Sequence, residues 1–387
     1  MPMDTPHLSS PSGKGLAALQ DIYQQRGKKA ETLQKQGRKI LGYMCHFAPL
    51  EIMSAAGFVP FRIFGRRGEN LVAVDDFIEP YGCPYVRNSF EQELQGRLNF
   101  LEGIVMAHSC DMVQRLYGIW RYYRNPKYAY LFNVPHQVTS WAQDFFVRES
   151  QLFLESLEIY QGEKVSEEVL EYTISLYNEI RHKIRQLYSL RKHHPPLLTG
   201  VEMQQVLIAG TCLPPEEYLQ LLRETTEEVS SRQIPGPNSA RNVRIMIWGS
   251  IVDDTRLFEL IENCGAHVVV DDTCTGTRIF NHDVKQNDNP FQQLMKKYFL
   301  DFQCPRTDRG PGYQRFDYVK ELVTEYRIDG VIGYTLAYCD PHKLDFPDLR
   351  DFLTQHSCPM LLIDDDYSLG NSEAIQNRIQ AFIEMLK

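Results

Sequence analysis

The chain has no Cys-x-x-Cys pair, although it carries nine cysteines in 387 residues. That absence removes the rubredoxin, ferredoxin and zinc-ribbon signatures, so any metal must take ligands that converge from distant positions. No Gly-x-Gly-x-x-Gly follows a strand-like run and there is no P-loop, so neither a dinucleotide nor ATP is expected as a ligand of this chain. No apolar run approaches the roughly 20 residues that span a bilayer. Basic charge is not in excess. The net charge is −9 with both signs interspersed, which leaves no stripe for nucleic acid and no polybasic membrane patch. Residues 1–14, rich in proline and serine, lack the apolar core of a signal peptide and read as a frayed tail. A cytoplasmic chain is therefore expected, in which cysteines stay thiols.

What is present is arranged twice. Cys110 and Cys339 each follow a short apolar run (103–107 and 330–336) and precede an aspartate, Asp111 or Asp340. Behind each comes a helical stretch, then an apolar strand (128–134 and 359–364), then a longer helix (137–158 and 372–386). Ahead of each lies a β-α-β opening. In the first, strand 40–44, a helix from Pro49 to 56 and strand 59–64 are expected. In the second, strand 243–248, helix 255–263 and strand 265–272 repeat the layout. The expected fold is α/β: two Rossmann-like doubly wound parallel-sheet domains from an internal duplication, with a helical insertion between them. The divisions are a tail and single leading helix over 1–39, a first domain over 40–160, a helical connection and linker over 161–238, and a second domain over 239–387. Pro235-Gly236-Pro237-Asn238-Ser239 is the clearest linker. Helices are further expected from Arg87 to about 99 and over 347–355, and residues 276–315 are expected to be irregular.

Ligands in an open parallel sheet collect beyond the carboxyl ends of the strands, which is where the paired thiols fall. Cys83, Cys110 and Cys339 stand in turns after strands or at Gly/Pro breaks, and thiolates suit zinc or iron–sulfur iron. Three ligands leave one position open for water or substrate. The competing reading is that free cysteine packs as a small hydrophobe. Cys45 and Cys274, also just past strands, are possible extra ligands. Cys212, Cys264, Cys304 and Cys358 read as structural. His46 and His108, at strand ends, are candidate acid–base groups, or else hydrogen-bonded turn residues. Asp364-Asp365-Asp366 resembles a divalent-metal box, but acids after a strand more often cap the next helix. The loop 65–69, with Arg66 and Arg67, could meet a phosphate or form a basic hairpin turn.

Several stretches together resemble the 2-hydroxyacyl-CoA dehydratase / benzoyl-CoA reductase family from about residue 38 to the end. They are Gly42-x-x-Cys45-x-x-x-Pro49-x-Glu51-Ile52-x-x-Ala55-Ala56-Gly57, the Cys110-Asp111 and Cys339-Asp340 turns, Val270-Asp271-Asp272-x-Cys274-x-Gly276-x-Arg278, and Asp366-Tyr367 with Asn377-Arg378-Ile379. The resemblance implies a [4Fe-4S] cluster on Cys83, Cys110 and Cys339, with an acyl-CoA or aroyl-CoA thioester in the cleft above it. It also implies a related sister subunit in a heterodimer, and a separate ATP-hydrolysing iron–sulfur activator in an anaerobic cytoplasmic setting. The implied chemistry is one-electron reduction of the thioester carbonyl or a conjugated ring, for which His46 and His108 are the first candidates to deliver a proton. One alternative is a homodimeric double-cubane [8Fe-9S] reductase of small molecules, for which Cys45, Cys274 and Cys304 would supply the extra thiols. Another is a non-catalytic electron-relay or partner subunit.

Overall fold

The structure, a computed structural model, describes residues 15–233, 242–285, 289–302, 304–307, 314–369 and 372–387. The 1–14 tail and the 235–239 linker lie outside the described residues.

Among the described residues eight strands form two four-stranded parallel sheets. The first holds β1 (Lys39–Met44), β2 (Phe58–Arg62), β3 (Leu101–Ala107) and β4 (Tyr128–Phe132) in the order β2-β1-β3-β4. The second holds β5 (Val243–Gly249), β6 (Ala266–Asp272), β7 (Gly330–Leu336) and β8 (Met360–Asp365) in the order β6-β5-β7-β8. Strand for strand these are the same topology, as the repeated pattern requires. The central strands β5 and β7 are buried throughout and β1 beyond its first residue, because crossover helices cover both faces. In each sheet the chain runs outward from its first strand to the second, then crosses to the other side for the third. The strand ends therefore part between β1 and β3, and between β5 and β7. Such switch points open a crevice at the carboxyl edge.

Helices Ser140–Gln161, Glu167–Leu190, Gly200–Gly210 and Pro215–Ser230 connect the sheets. They bond to both halves: the Arg181 guanidinium meets buried Glu51 after β1, while the Tyr188 hydroxyl donates to Asp271 in β6 at 2.6 Å.

The structure corrects four local expectations. The leading segment is two helices, Leu16–Gln24 and Arg26–Lys35, broken at Gln25. The break turns Arg26 inward, where it donates to the Arg62 carbonyl and lies 4.5 Å from the Phe64 ring centroid. The helix expected from Arg87 begins at Pro84, so Cys83 is its N-cap. The helix after Cys339 begins at Asp340 and runs to Gln355 with Pro347 inside it, because a proline costs an interior hydrogen bond without always ending a packed helix. Finally, 276–315 is not all irregular. It holds Thr277–Phe280 and Pro290–Lys296, the latter continuing through a π-helical turn at Lys297–Asp301. Asn289 as N-cap and Pro290 as first residue are the start signal there.

Candidate functional site: a thiol-lined crevice

Cys110 and Cys339 each lie three residues beyond the end of the third strand of their sheet, Ala107 or Leu336, and each is the N-cap of the next helix. Cys83 caps Pro84–Leu94 in the same way. A helix N-terminus offers unsatisfied N–H groups and partial positive charge, which favour a thiolate. Backbone N–H groups lie near each sulfur, those of Tyr85 and Val86 by Cys83, Met112 and Val113 by Cys110, and His342 by Cys339, without making a capping hydrogen bond to it.

The three thiols lie near enough across the two halves to act on one another electrostatically. Burial pushes the Cys339 thiol well above its ordinary range, and the neighbouring sulfurs of Cys83, Cys274 and Cys110 push it further. Burial takes Cys110 up to about 12, with Cys83 and Cys45 adding to it. Cys304, after the π-helical turn, is also raised to about 12 by burial, against Arg278 and with Cys274 and Cys45. Six thiols thus act on one another electrostatically as a cluster: Cys45, Cys83 and Cys110 from the first half of the chain, with Cys274, Cys304 and Cys339 from the second, of which Cys304 packs in the core beside the first sheet. The remaining cysteines, Cys212, Cys264 and Cys358, are buried elsewhere, and all nine are free.

Three arginines surround the cluster. Arg278 is fully buried on Asp272, with Nη1 4.0 Å from Cys274 Sγ. Arg62 donates to the Cys274 carbonyl at 2.7 Å. Arg306 donates to the His108 carbonyl at 2.8 Å and to the Val134 carbonyl. The Nε atoms of Arg62 and Arg306 are buried without a partner among the described residues. Sequence reasoning gave no site role to Arg62, Arg306 or His342, named Arg278 only within a motif, and read Cys304 as structural or, in the double-cubane alternative, as an extra thiol. The Cys274-x-Gly276-x-Arg278 and Cys304-x-Arg306 spacings were the available signals.

This donor set fits an iron–sulfur cluster. Thiols packed together cannot all ionise unless positive charge sits among them, and soft sulfur donors select iron–sulfur or zinc. Among the described residues no three His, Cys, Asp or Glu side chains lie close enough to share a single ion. A multi-iron cluster takes its ligands from more widely spaced positions. The ring of guanidinium groups suits a guest with net negative charge.

The other sequence candidates separate. His108 is half-buried beside the cluster, its pKa lowered by burial, Arg306 and His136. His46 is 6% exposed and kept neutral by burial, Arg62 and Lys297. Asp364 pairs with Lys343, and Asp365 accepts from the Leu369 N–H and from Arg67, so this acidic run is spent on structural bonds. Arg67 of the 65–69 loop is likewise buried against acids of the second half.

The model of the 2-hydroxyglutaryl-CoA dehydratase D-component family matches residues 45–386. The chain is 26% identical to a benzoyl-CoA reductase subunit of Thauera aromatica, over 90% of this chain and 91% of that one. It is 23% identical to the (R)-phenyllactyl-CoA dehydratase beta subunit of Clostridium sporogenes, over 92% and 93%. Identity to the (R)-2-hydroxyglutaryl-CoA dehydratase beta subunit of Acidaminococcus fermentans is 24%, over 96% and 100%. No helix of the described residues is long and apolar enough to cross a membrane.

Proposed function

The chain belongs to the 2-hydroxyglutaryl-CoA dehydratase D-component family, and from that premise we propose that it is the iron–sulfur subunit of a radical acyl-CoA enzyme. Its class is benzoyl-CoA reductase or 2-hydroxyacyl-CoA dehydratase, working with a related sister subunit and an ATP-hydrolysing activator. The observation that carries this reading is the meeting of Cys83 and Cys110 from one half with Cys339 from the other. These three residues would hold a [4Fe-4S] cluster, which supplies single low-potential electrons to a CoA thioester.

The chain's own residues do the rest. Cys83 and Cys304 are buried and Cys45, Cys110, Cys274 and Cys339 half-buried, so the crevice is partly shielded from water, which strengthens charge interactions within it. Arg62, Arg278 and Arg306 balance negative charge there. His108, two residues before Cys110 and half-buried, is the better placed of the two histidines to deliver a proton from a ring nitrogen. His46 lies deeper. The division of the chain into domains over 40–160 and 239–387, joined by 161–238, is part of the same proposal.

One observation favours a second reading. Six thiols converge where three would suffice, and the added Cys45, Cys274 and Cys304 are what a homodimeric double-cubane [8Fe-9S] reductase of small molecules would use.

The test is iron and acid-labile sulfide per chain, with EPR after reduction, on protein purified without oxygen. About four irons supports the single-cluster acyl-CoA subunit, and about eight moves the reading to the double cubane. No iron on a folded chain refutes both.

A further inference from the structure

His342 occupies the first turn of the Asp340–Gln355 helix, three residues after Cys339, and is 3% exposed. Its ring Nδ1 lies 3.3 Å from Cys339 Sγ and its Nε2 lies 3.2 Å from Arg278 Nη1. A guanidinium has only donors, so Nε2 must accept. The imidazole is then neutral and carries its one proton on Nδ1, the nitrogen that faces the sulfur.

Arg278 cannot turn away from this duty. Its Nε and Nη2 bind the Asp272 carboxylate at 2.9 and 3.0 Å, and Nη2 also donates to the Asp272 carbonyl at 2.9 Å. Both side chains are buried. The ring is held from the side by Trp248, edge-on at 5.5 Å between centroids. The other acceptor facing the imidazole is the Gly249 carbonyl at the end of β5.

We propose that Asp272, Arg278 and His342 form a positioning chain that fixes the Nδ1–H tautomer and aims that proton at Cys339 Sγ. The chain runs from the end of β6 to the N-cap thiol after β7, so it joins two strand ends of one sheet. Cys339 Sγ thereby faces the ring N–H of His342 at hydrogen-bond distance, while the His342 backbone N–H lies nearby without capping it. Hydrogen bonds of this kind withdraw charge from a ligating sulfur and favour the reduced form of the metal group it holds. Among the three proposed ligands, Cys339 alone has an imidazole at hydrogen-bond distance among the described residues. The inference rests on the ligand assignment made under Proposed function only for this last consequence, since the tautomer belongs to the metal-free chain.

Two measurements keep the two ideas apart. On iron-free protein with 15N-labelled histidine, long-range proton–nitrogen correlation spectra assigned by a His342→Gln control read the tautomer directly. A protonated Nδ1 with unprotonated Nε2 at His342 is expected, and a protonated Nε2 overturns the chain whatever the protein's function. On iron-loaded protein, the midpoint potential followed by EPR is compared in His342→Gln and His342→Met, side chains of similar shape with and without an N–H donor. The Met variant is expected at a more negative potential than the Gln variant, or to lose iron that the Gln variant keeps. Equal potentials at equal iron content overturn the bond to sulfur and leave the ring proton on Gly249. Failure of the wild-type chain to bind iron refutes the function and leaves the tautomer result standing.

Discussion

Arg67, in the loop after β2, crosses between the two halves to an ion pair with Asp365 at the end of β8, 3.1 Å away, with side chains 1% and 3% exposed. The same guanidinium donates to Asp253, after β5, at 3.3 Å and stacks 4.6 Å from the Tyr367 ring centroid. Tyr334 completes the web by donating to Asp365 at 2.5 Å. This is a clasp between the sheets, and the relation between Cys110 and Cys339 depends on the sheets staying in register.

Removing one partner of a buried pair leaves the other charge stranded, at about 3–5 kcal/mol. Arg67→Met is expected to lose stability of that order in urea unfolding. It should also lower iron content after reconstitution, since Cys83 and Cys110 follow elements of one half and Cys339 a strand of the other. Unchanged stability would show that the clasp contributes nothing net.

Cys110→Ala and Cys339→Ala are each expected to abolish iron binding, while Cys358→Ala, whose thiol lies outside the cluster, leaves it intact. Iron and sulfide analysis of the three variants decides this. Cys304→Ser adds a finer comparison: iron should fall by about half if two cubanes share the crevice, and stay the same if one does.

Lys297 carries a pH signature. Burial, with Arg181 adding to it and Glu51 opposing, lowers its amine to about 7 from 10.5. Between those values the unfolded chain holds a proton that the folded chain has released, so this residue makes stability rise with pH across that window. Below 7 both states are protonated and the folded chain bears the full cost of a buried charge. Lys297→Met should therefore be more stable than the wild type at pH 6, on the order of 2–5 kcal/mol. The difference should shrink by pH 10. Urea unfolding at the two pH values checks the sign, and a pH-independent difference would contradict it.

Two glycines should respond oppositely to alanine. Gly249 closes β5 at the switch point with φ +153°, and a Cβ there would stand 1.8 Å from the Tyr334 carbonyl oxygen. Because that oxygen is backbone in the neighbouring strand, Gly249→Ala should cost about 3 kcal/mol or more, or prevent folding. Gly118 sits inside the Asp111–Arg124 helix with open space around it, so Gly118→Ala should gain about 0.5–1 kcal/mol. Denaturation of both variants tests the pair.

Much of this was legible in the chain itself. Strands buried on both faces read as apolar runs, so 40–44, 103–107, 243–248 and 330–336 announced themselves, and their repetition foretold the matched sheet orders. Cys110 and Cys339 were legible because strand, thiol and aspartate recur at one spacing. The stretch around 289–301 was harder to see. Its helix is short and ends in a π-helical turn, and its start signal of Asn289 and Pro290 stands alone in a polar region.

Local periodicity, spacing and residue order were enough for the two parallel sheets, the strand-end positions of the thiols and the family. Which thiols come near one another depended on the packing of the folded chain. It brought Cys304 into the cluster, set Arg62, Arg278 and Arg306 around it, and placed the His342 ring between Arg278 and Cys339. The physical reason is that such contacts are fixed by how two sheets and their crossover helices pack. Residues as far apart as Cys83 and Cys339 carry no local signal of one another, and the cost of burying thiols and guanidinium groups together is settled only where they come into contact.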